Sequence, residues 1–331
     1  MVKFGIEFVP EAPSSQVAYY GGLAERTGFE YVWITDHFNN RNVWVGMTNV
    51  SLLTNSINVG TGVTNPYCVN PVVIASAIAS LDELNNNRTI LGLGPGDEVT
   101  LRNLGVERTK PLRGIRESVE IIRRLWKREE VSYEGQVFNV AKARLAFKVQ
   151  RMPPIYLAAQ GPLMTKLAGE IADGILINAS HPKDYEIAKE HIEAGAKKAG
   201  RNLEEIDVAA YVSFAVDKKT QKAVDAAKIV VAFIVAGSIP MILNRHGIPK
   251  EEADQISGYL SKGKWGEAIG AVTPQMIDTF CVAGTPDEVI EKINNLMGAG
   301  VTQLICGSPL GKDIPKAIKL IGKSVMPAFK E

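Results

Sequence analysis

The sequence predicts an α/β fold, a (β/α)8 TIM barrel, on three observations. Eight short apolar runs recur along the 331 residues, and most stretches between them carry apolar residues at three- and four-residue spacing. Polar and glycine-rich residues cluster just after the C-terminal ends of the runs. Strands alternating with helical crossovers make a parallel sheet, and in a barrel the strand C-terminal ends form the rim that carries the active site.

The strands are expected over residues 3–10, 31–38, 57–65, 89–94, 155–160, 174–178, 208–216 and 302–307. Helical spacing marks 17–26, 47–54, 72–84 and 115–126, and an amphipathic helix over 314–325 closes the chain. The alternation breaks twice. Over 129–154, Val131-Ser132-Tyr133 and Val137-Phe138-Asn139-Val140 flank Glu134-Gly135-Gln136, an antiparallel hairpin inserted before strand five. Over 220–297, helical segments replace the single crossover between strands seven and eight, with a turn expected at Ser257-Gly258-Tyr259 and a loop at Lys262-Gly263-Lys264-Trp265. Thr285-Pro286-Asp287-Glu288 spells a helix start: a capping Thr, Pro at the first helical position and a Glu that completes a capping box. Residues 1–331 thus read as one barrel domain with two insertions.

Composition narrows the partners. A net charge of +1 and the lack of a basic stripe interleaved with aromatics argue against nucleic acid. Cys68, Cys281 and Cys306 are odd in number and far apart, so neither a disulfide framework nor a thiolate metal site is expected, and a cytoplasmic location fits. Met1 leads almost directly into the first strand, so no export signal is expected. The most apolar stretch, 229–243, falls short of the roughly 20 residues that span a bilayer. It is expected to be a buried or subunit-contact helix in a homodimer or homotetramer.

Several familiar motifs fail on chemistry. Gly92-Leu93-Gly94-Pro95-Gly96-Asp97 and Gly60-Thr61-Gly62-Val63-Thr64-Asn65 begin like dinucleotide fingerprints, but Asp97 and Asn65 stand where helix–strand packing needs a small residue. Residues 258–265 imitate a P-loop until Trp265 replaces the magnesium-binding hydroxyl. His37, His181, His191 and His246 have neither HExxH spacing nor cysteine partners, so no metal is expected. Gly-x-Ser-x-Gly is absent.

The remaining rim residues carry the chemistry. Glu7 interrupts an apolar strand, where a carboxylate is costly to desolvate unless it is paired or used, so it is either a catalytic group or half of a structural ion pair. Asp97 and Glu98 follow strand four, whose Gly94, Pro95 and Gly96 permit close approach of a flat ligand; the alternative is that one caps the next helix and the other is solvated. Asp36-His37 ends strand two, where the histidine either shuttles a proton, touches a cofactor ring or is a satisfied structural histidine. Ala159-Gln160-Gly161 after strand five and Asn178-Ala179 after strand six offer amides and backbone N–H groups, or are ordinary loops.

As a set these motifs resemble the bacterial luciferase-like flavin and deazaflavin superfamily, and within it the coenzyme F420-dependent methylenetetrahydromethanopterin reductases. The resemblance runs through Lys3-Phe4-Gly5-Ile6-Glu7-Phe8, Trp33-Ile34-Thr35-Asp36-His37-Phe38, Gly60 to Tyr67, Gly92 to Glu98, Leu157 to Pro162 and Ala283-Gly284-Thr285-Pro286. It implies coenzyme F420 as a dissociable hydride donor in the barrel mouth, with its deazaflavin ring against strand three and a cis peptide between Gly62 and Val63 behind the ring. The implied reaction reduces 5,10-methylenetetrahydromethanopterin to 5-methyltetrahydromethanopterin, a step in methanogenesis from carbon dioxide.

On this reading Glu7 and Glu98 divide two roles, protonating a ring nitrogen and stabilising the resulting cation, and Asp97 tunes them by like-charge proximity. The expected coenzyme contacts are Asp36, His37, Gly62, Val63, Thr64, Asn65, Pro95, Gly96, Ala159, Gln160, Gly161, Asn178 and Ala179. Two alternatives remain: an FMN-dependent luciferase-like monooxygenase on the same barrel, and a barrel that binds a flavin-like ligand without turnover.

Overall fold

Apolar runs mark the strands, but six of the eight outlast the strand they contain. The computed structural model describes residues 2–330. Its strands are β1 (Lys3–Phe8), β2 (Tyr31–Ile34), β3 (Asn58–Thr61), β4 (Thr89–Leu93), β5 (Val131–Glu134), β6 (Asn139–Ala143), β7 (Ile155–Ala158), β8 (Gly174–Ile177), β9 (Asp207–Val216), β10 (Val282–Gly284) and β11 (Gln303–Leu310). One sheet runs β10-β9-β11-β1-β2-β3-β4-β7-β8, and a further β9–β8 pairing closes its eight long-range strands into the expected parallel barrel. β5 and β6 pair antiparallel as a separate hairpin.

Three expectations are corrected. The turn at Ser257-Gly258-Tyr259 lies inside the helix Lys250–Ser261, because one glycine lowers helix stability without ending a helix. The stretch 229–243 is two helices, Thr220–Gly237 and Pro240–Arg245. Pro240 has no N–H to continue the first helix, and it biases Ile239 to the extended geometry seen there. β10 was not expected; its three residues pair parallel to β9. The capping box at Thr285 and Glu288 is present as read.

By contact density the chain falls into two compact units, one containing residues 5–177 and 187–209, the other 178–186 and 210 onward with the N-terminal residues up to Phe4. In the first unit, Glu7, Trp33, Gly60 and Ile90 share one register level across β1 to β4. Gly60 makes room for the Trp33 indole, since a Cβ there would lie 2.7 Å from the ring. Tyr156 packs on Trp33 with ring centroids 5.4 Å apart, and its hydroxyl donates to Asp207 at 2.6 Å. These large side chains fill the interior below the rim. In the second unit Val231, Val235, Ile256, Met276 and Phe280 form an apolar core among the helices after β9. No helix among the described residues is long and apolar enough to cross a membrane.

Candidate active site

Strand alternation sets which side chains reach the barrel interior. Glu7 is paired in register with Trp33 and is 9% exposed, so a carboxyl group stands inside the wall of the first unit. After β2 the chain continues through Thr35, Asp36 and His37, with exposure rising from the buried Thr35 to the exposed His37. The Asp36 carboxylate accepts a hydrogen bond from Thr64 Oγ1 at 2.7 Å. Burial raises the Asp36 pKa, an effect only partly offset by the Thr64 hydrogen bond and the nearby His37. His37 is exposed.

After β3 the Gly62–Val63 peptide is cis. Thr64 then rejoins the sheet: its N–H donates to Gly92 O at 3.0 Å, and its carbonyl accepts from Gly94 N at 2.9 Å. Asn65 closes the turn by accepting from the N–H groups of Tyr67 and Cys68.

The glycines after β4 serve the protein's own packing. A Cβ on Gly94 would lie 2.8 Å from Val63 Cγ2, and one on Gly96 would lie 2.9 Å from Leu101 Cδ1, so in those directions the space expected for a ligand holds Val63 and Leu101. Gly96 also has φ +75°, a left-handed conformation that favours glycine.

Asp97 and Glu98 divide their tasks. Asp97 caps the helix Glu98–Asn103, accepting from Thr100 N at 2.8 Å. That bond, with help from Arg108 and His37 and against a partial desolvation penalty, holds its carboxyl below the usual range. Glu98 is exposed and pairs with Arg108 at 2.8 Å, while the same guanidinium donates to Gly96 O at 2.8 Å. Arg108 lies in a polar loop, where nothing in its neighbours' composition signalled this clamp.

Ala159 is buried, with its N–H on Leu176 O, whereas Gln160 is exposed and Gly161 starts the helix Pro162–Ile171. In the other unit, Asn178 is exposed and Ala179 O accepts from the Tyr185 hydroxyl at 2.5 Å. Among the described residues, Thr35 Oγ1 is buried with no hydrogen-bond partner, and no group of His, Cys, Asp and Glu is arranged to hold a metal. Strand alternation, which puts Thr35 on the Trp33 side of its strand, is the only sequence signal for this residue.

The family model described as luciferase-like monooxygenase matches residues 9–303. The 5,10-methylenetetrahydromethanopterin reductase of Archaeoglobus fulgidus is 50% identical over 99% of this chain and 100% of its own. The enzyme of that name from Methanolobus tindarius is 51% identical over 98% and 100%. The chain belongs to this reductase family of luciferase-like proteins. A solved coenzyme F420-dependent tetrahydromethanopterin reductase from Methanopyrus kandleri superposes with a TM-score of 0.96 at 46% identity, covering 99% of each chain. An F420-dependent secondary alcohol dehydrogenase, 22% identical with a TM-score of 0.83, shows only that the barrel is shared more widely. Within the reductase family the residues of the first unit's rim can be given chemical roles.

Proposed function

We propose that this protein reduces 5,10-methylenetetrahydromethanopterin to 5-methyltetrahydromethanopterin with coenzyme F420, in methanogenesis from carbon dioxide. Full-length identity of 46–51% to reductases of that name carries the reading and disfavours the FMN monooxygenase alternative. The residues present fit a flat ligand with polar edges, because the barrel interior at the rim holds a buried hydroxyl, Thr35 Oγ1, with no partner. Asp36, His37, Gly62, Val63, Thr64, Asn65, Pro95, Gly96, Ala159, Gln160 and Gly161, all in the first unit, are the proposed coenzyme contacts.

When bound, the coenzyme supplies a hydride. The protein's part is proton and charge chemistry at the pterin. Glu7, shielded from bulk water, gives a proton to the ring nitrogen whose bond to the methylene carbon breaks. The other nitrogen then shares the positive charge of the iminium carbon that accepts the hydride, and Glu98, held by Arg108, supplies compensating negative charge. Asp97 fixes the helix start that presents Glu98.

The protein is proposed to work as a homodimer or homotetramer, which the exposed Phe233, Ile239, Met241 and Trp265 support. A reducing cytoplasm suits three free cysteines, two of them buried. Supplying reduced coenzyme that carries deuterium at the transferred position tests the reaction. One deuterium should appear in the product methyl group, and its absence from that group would reject the reading.

A further inference from the structure

The Thr35 hydroxyl is unexplained by the fold. The Thr35 N–H still donates to Phe8 O at 3.2 Å, so the β1–β2 ladder continues through this residue beyond the end of β2. Ile34 faces the surrounding helices, because a Cβ on Gly46 of the helix Val43–Leu53 would lie 3.4 Å from Ile34 Cδ1. Alternation therefore turns Thr35 the other way, to the interior side occupied by Trp33 and Glu7, one step nearer the rim. Gly62 is its neighbour on the third strand, with its N–H on Ile34 O at 2.7 Å. Thr35 is 8% exposed, and its Oγ1 is buried without a partner. Elsewhere in this wall the threonine hydroxyls are used: Thr61 donates to Gly92 O at 2.7 Å and Thr64 to Asp36 at 2.7 Å.

We propose that the Thr35 hydroxyl is a ligand contact that hydrogen-bonds an N–H or C=O on the edge of a fused-ring heterocycle seated beside Gly62, above the layer that the buried Trp33 fills. A buried hydroxyl left unpaired destabilises the ligand-free protein, and a ligand heteroatom removes that penalty on binding. A hydroxyl both donates and accepts, so it suits either polar group on a ring edge. The neighbouring Gly62 and Val63 are partly exposed, and Gly62 has no side chain to hold a flat ring away from the backbone. The proposal rests on the functional reading above, in which the deazaflavin of the coenzyme and the pterin are both such heterocycles.

The test compares wild type, Thr35→Val and Thr35→Ser. Valine keeps the shape and deletes the hydroxyl; serine keeps the hydroxyl. Ligand-free Thr35→Val should melt at or above the wild-type temperature, because no protein hydrogen bond is lost. Coenzyme affinity by titration calorimetry without pterin, and KM for the pterin, are then measured. Thr35→Val should weaken one of the two by roughly three- to tenfold while Thr35→Ser stays within about twofold. A loss in coenzyme affinity identifies the deazaflavin as the bound ring, and a loss confined to the pterin KM identifies the pterin. Unchanged values for both in Thr35→Val would overturn the proposal, as would a lowered ligand-free melting temperature with both values unchanged. Should valine not be accommodated, Thr35→Ala gives the same readout. Wild type that binds the coenzyme without reducing the pterin would defeat the functional reading alone, since the affinity comparison still decides the role of Thr35.

Discussion

Arg108 binds the carboxylate of Glu98 and the carbonyl of Gly96 with the two arms of one guanidinium, each at 2.8 Å. A residue ten positions along the chain thereby fixes both the turn after β4 and the carboxylate that follows it. The pair is too exposed to matter much for stability, where such bridges contribute about 0–1 kcal/mol. Its effect should be on geometry. Arg108→Gln should leave the melting temperature nearly unchanged and lower turnover roughly 10- to 100-fold, the scale of a displaced catalytic group. Turnover near wild type would reduce Glu98 to a solvated side chain.

Glu7 is assigned the proton. Glu7→Gln keeps the shape and removes the acid, so turnover should fall about 10²- to 10⁴-fold while coenzyme affinity holds within a few fold. Calorimetry and stopped-flow kinetics on the same preparation separate the two. Near-native turnover would make Glu7 a structural group.

Asp97 separates charge from capping. Asp97→Asn retains an N-cap acceptor and should keep the helix Glu98–Asn103 in place, whereas Asp97→Ala should cost about 1 kcal/mol. If capping is its whole contribution, Asp97→Asn leaves the pH–rate profile unmoved. A shifted acidic limb in that variant would show that its charge acts on the neighbouring carboxyl groups.

Glu117 anchors the hairpin and gives the protein an acid-sensitive point. Its carboxylate is buried and accepts from the N–H groups of Gln136, Val137 and Phe138 and from Arg113. Burial alone would raise its pKa, but these donors together outweigh it and lower the value from 4.5. The folded protein therefore holds the proton less readily than the unfolded chain. The stabilisation is present above the unfolded-state value and is lost as pH falls through the lower folded value. Glu117→Gln should cost about 2–4 kcal/mol near neutral pH and should lose less stability than wild type between about pH 5 and pH 3. Denaturant melts at several pH values would show parallel curves if Glu117 contributed nothing.

Much of this was legible in the residues. Strand period and crossover spacing gave the barrel, and Thr285, Pro286 and Glu288 gave a helix start that the structure reproduces. The misses have local causes. Gly258 carries a turn signal, but flanking helical periodicity outweighs one glycine, and the apolar run over 229–243 hides the break that Pro240 imposes. β10 is too short to carry an alternation signal. Arg108 is more instructive: its partners are a backbone carbonyl and a carboxylate brought near by the turn, and no spacing rule encodes such a contact. Alternation gives the side on which Thr35 lies, but only the fold sets it apart, as the one residue among those described with a buried side-chain N or O that has no partner.

The central claim is hydride transfer from the reduced coenzyme to the pterin inside this barrel, and an anaerobic assay following coenzyme oxidation with 5,10-methylenetetrahydromethanopterin as acceptor tests it most directly. The account predicts one equivalent of coenzyme oxidised per methyl-pterin formed. No oxidation under those conditions would contradict it, and enzyme-dependent transfer of one oxygen atom from O2 to an organic substrate when reduced FMN is supplied would place the protein among the monooxygenases of its superfamily.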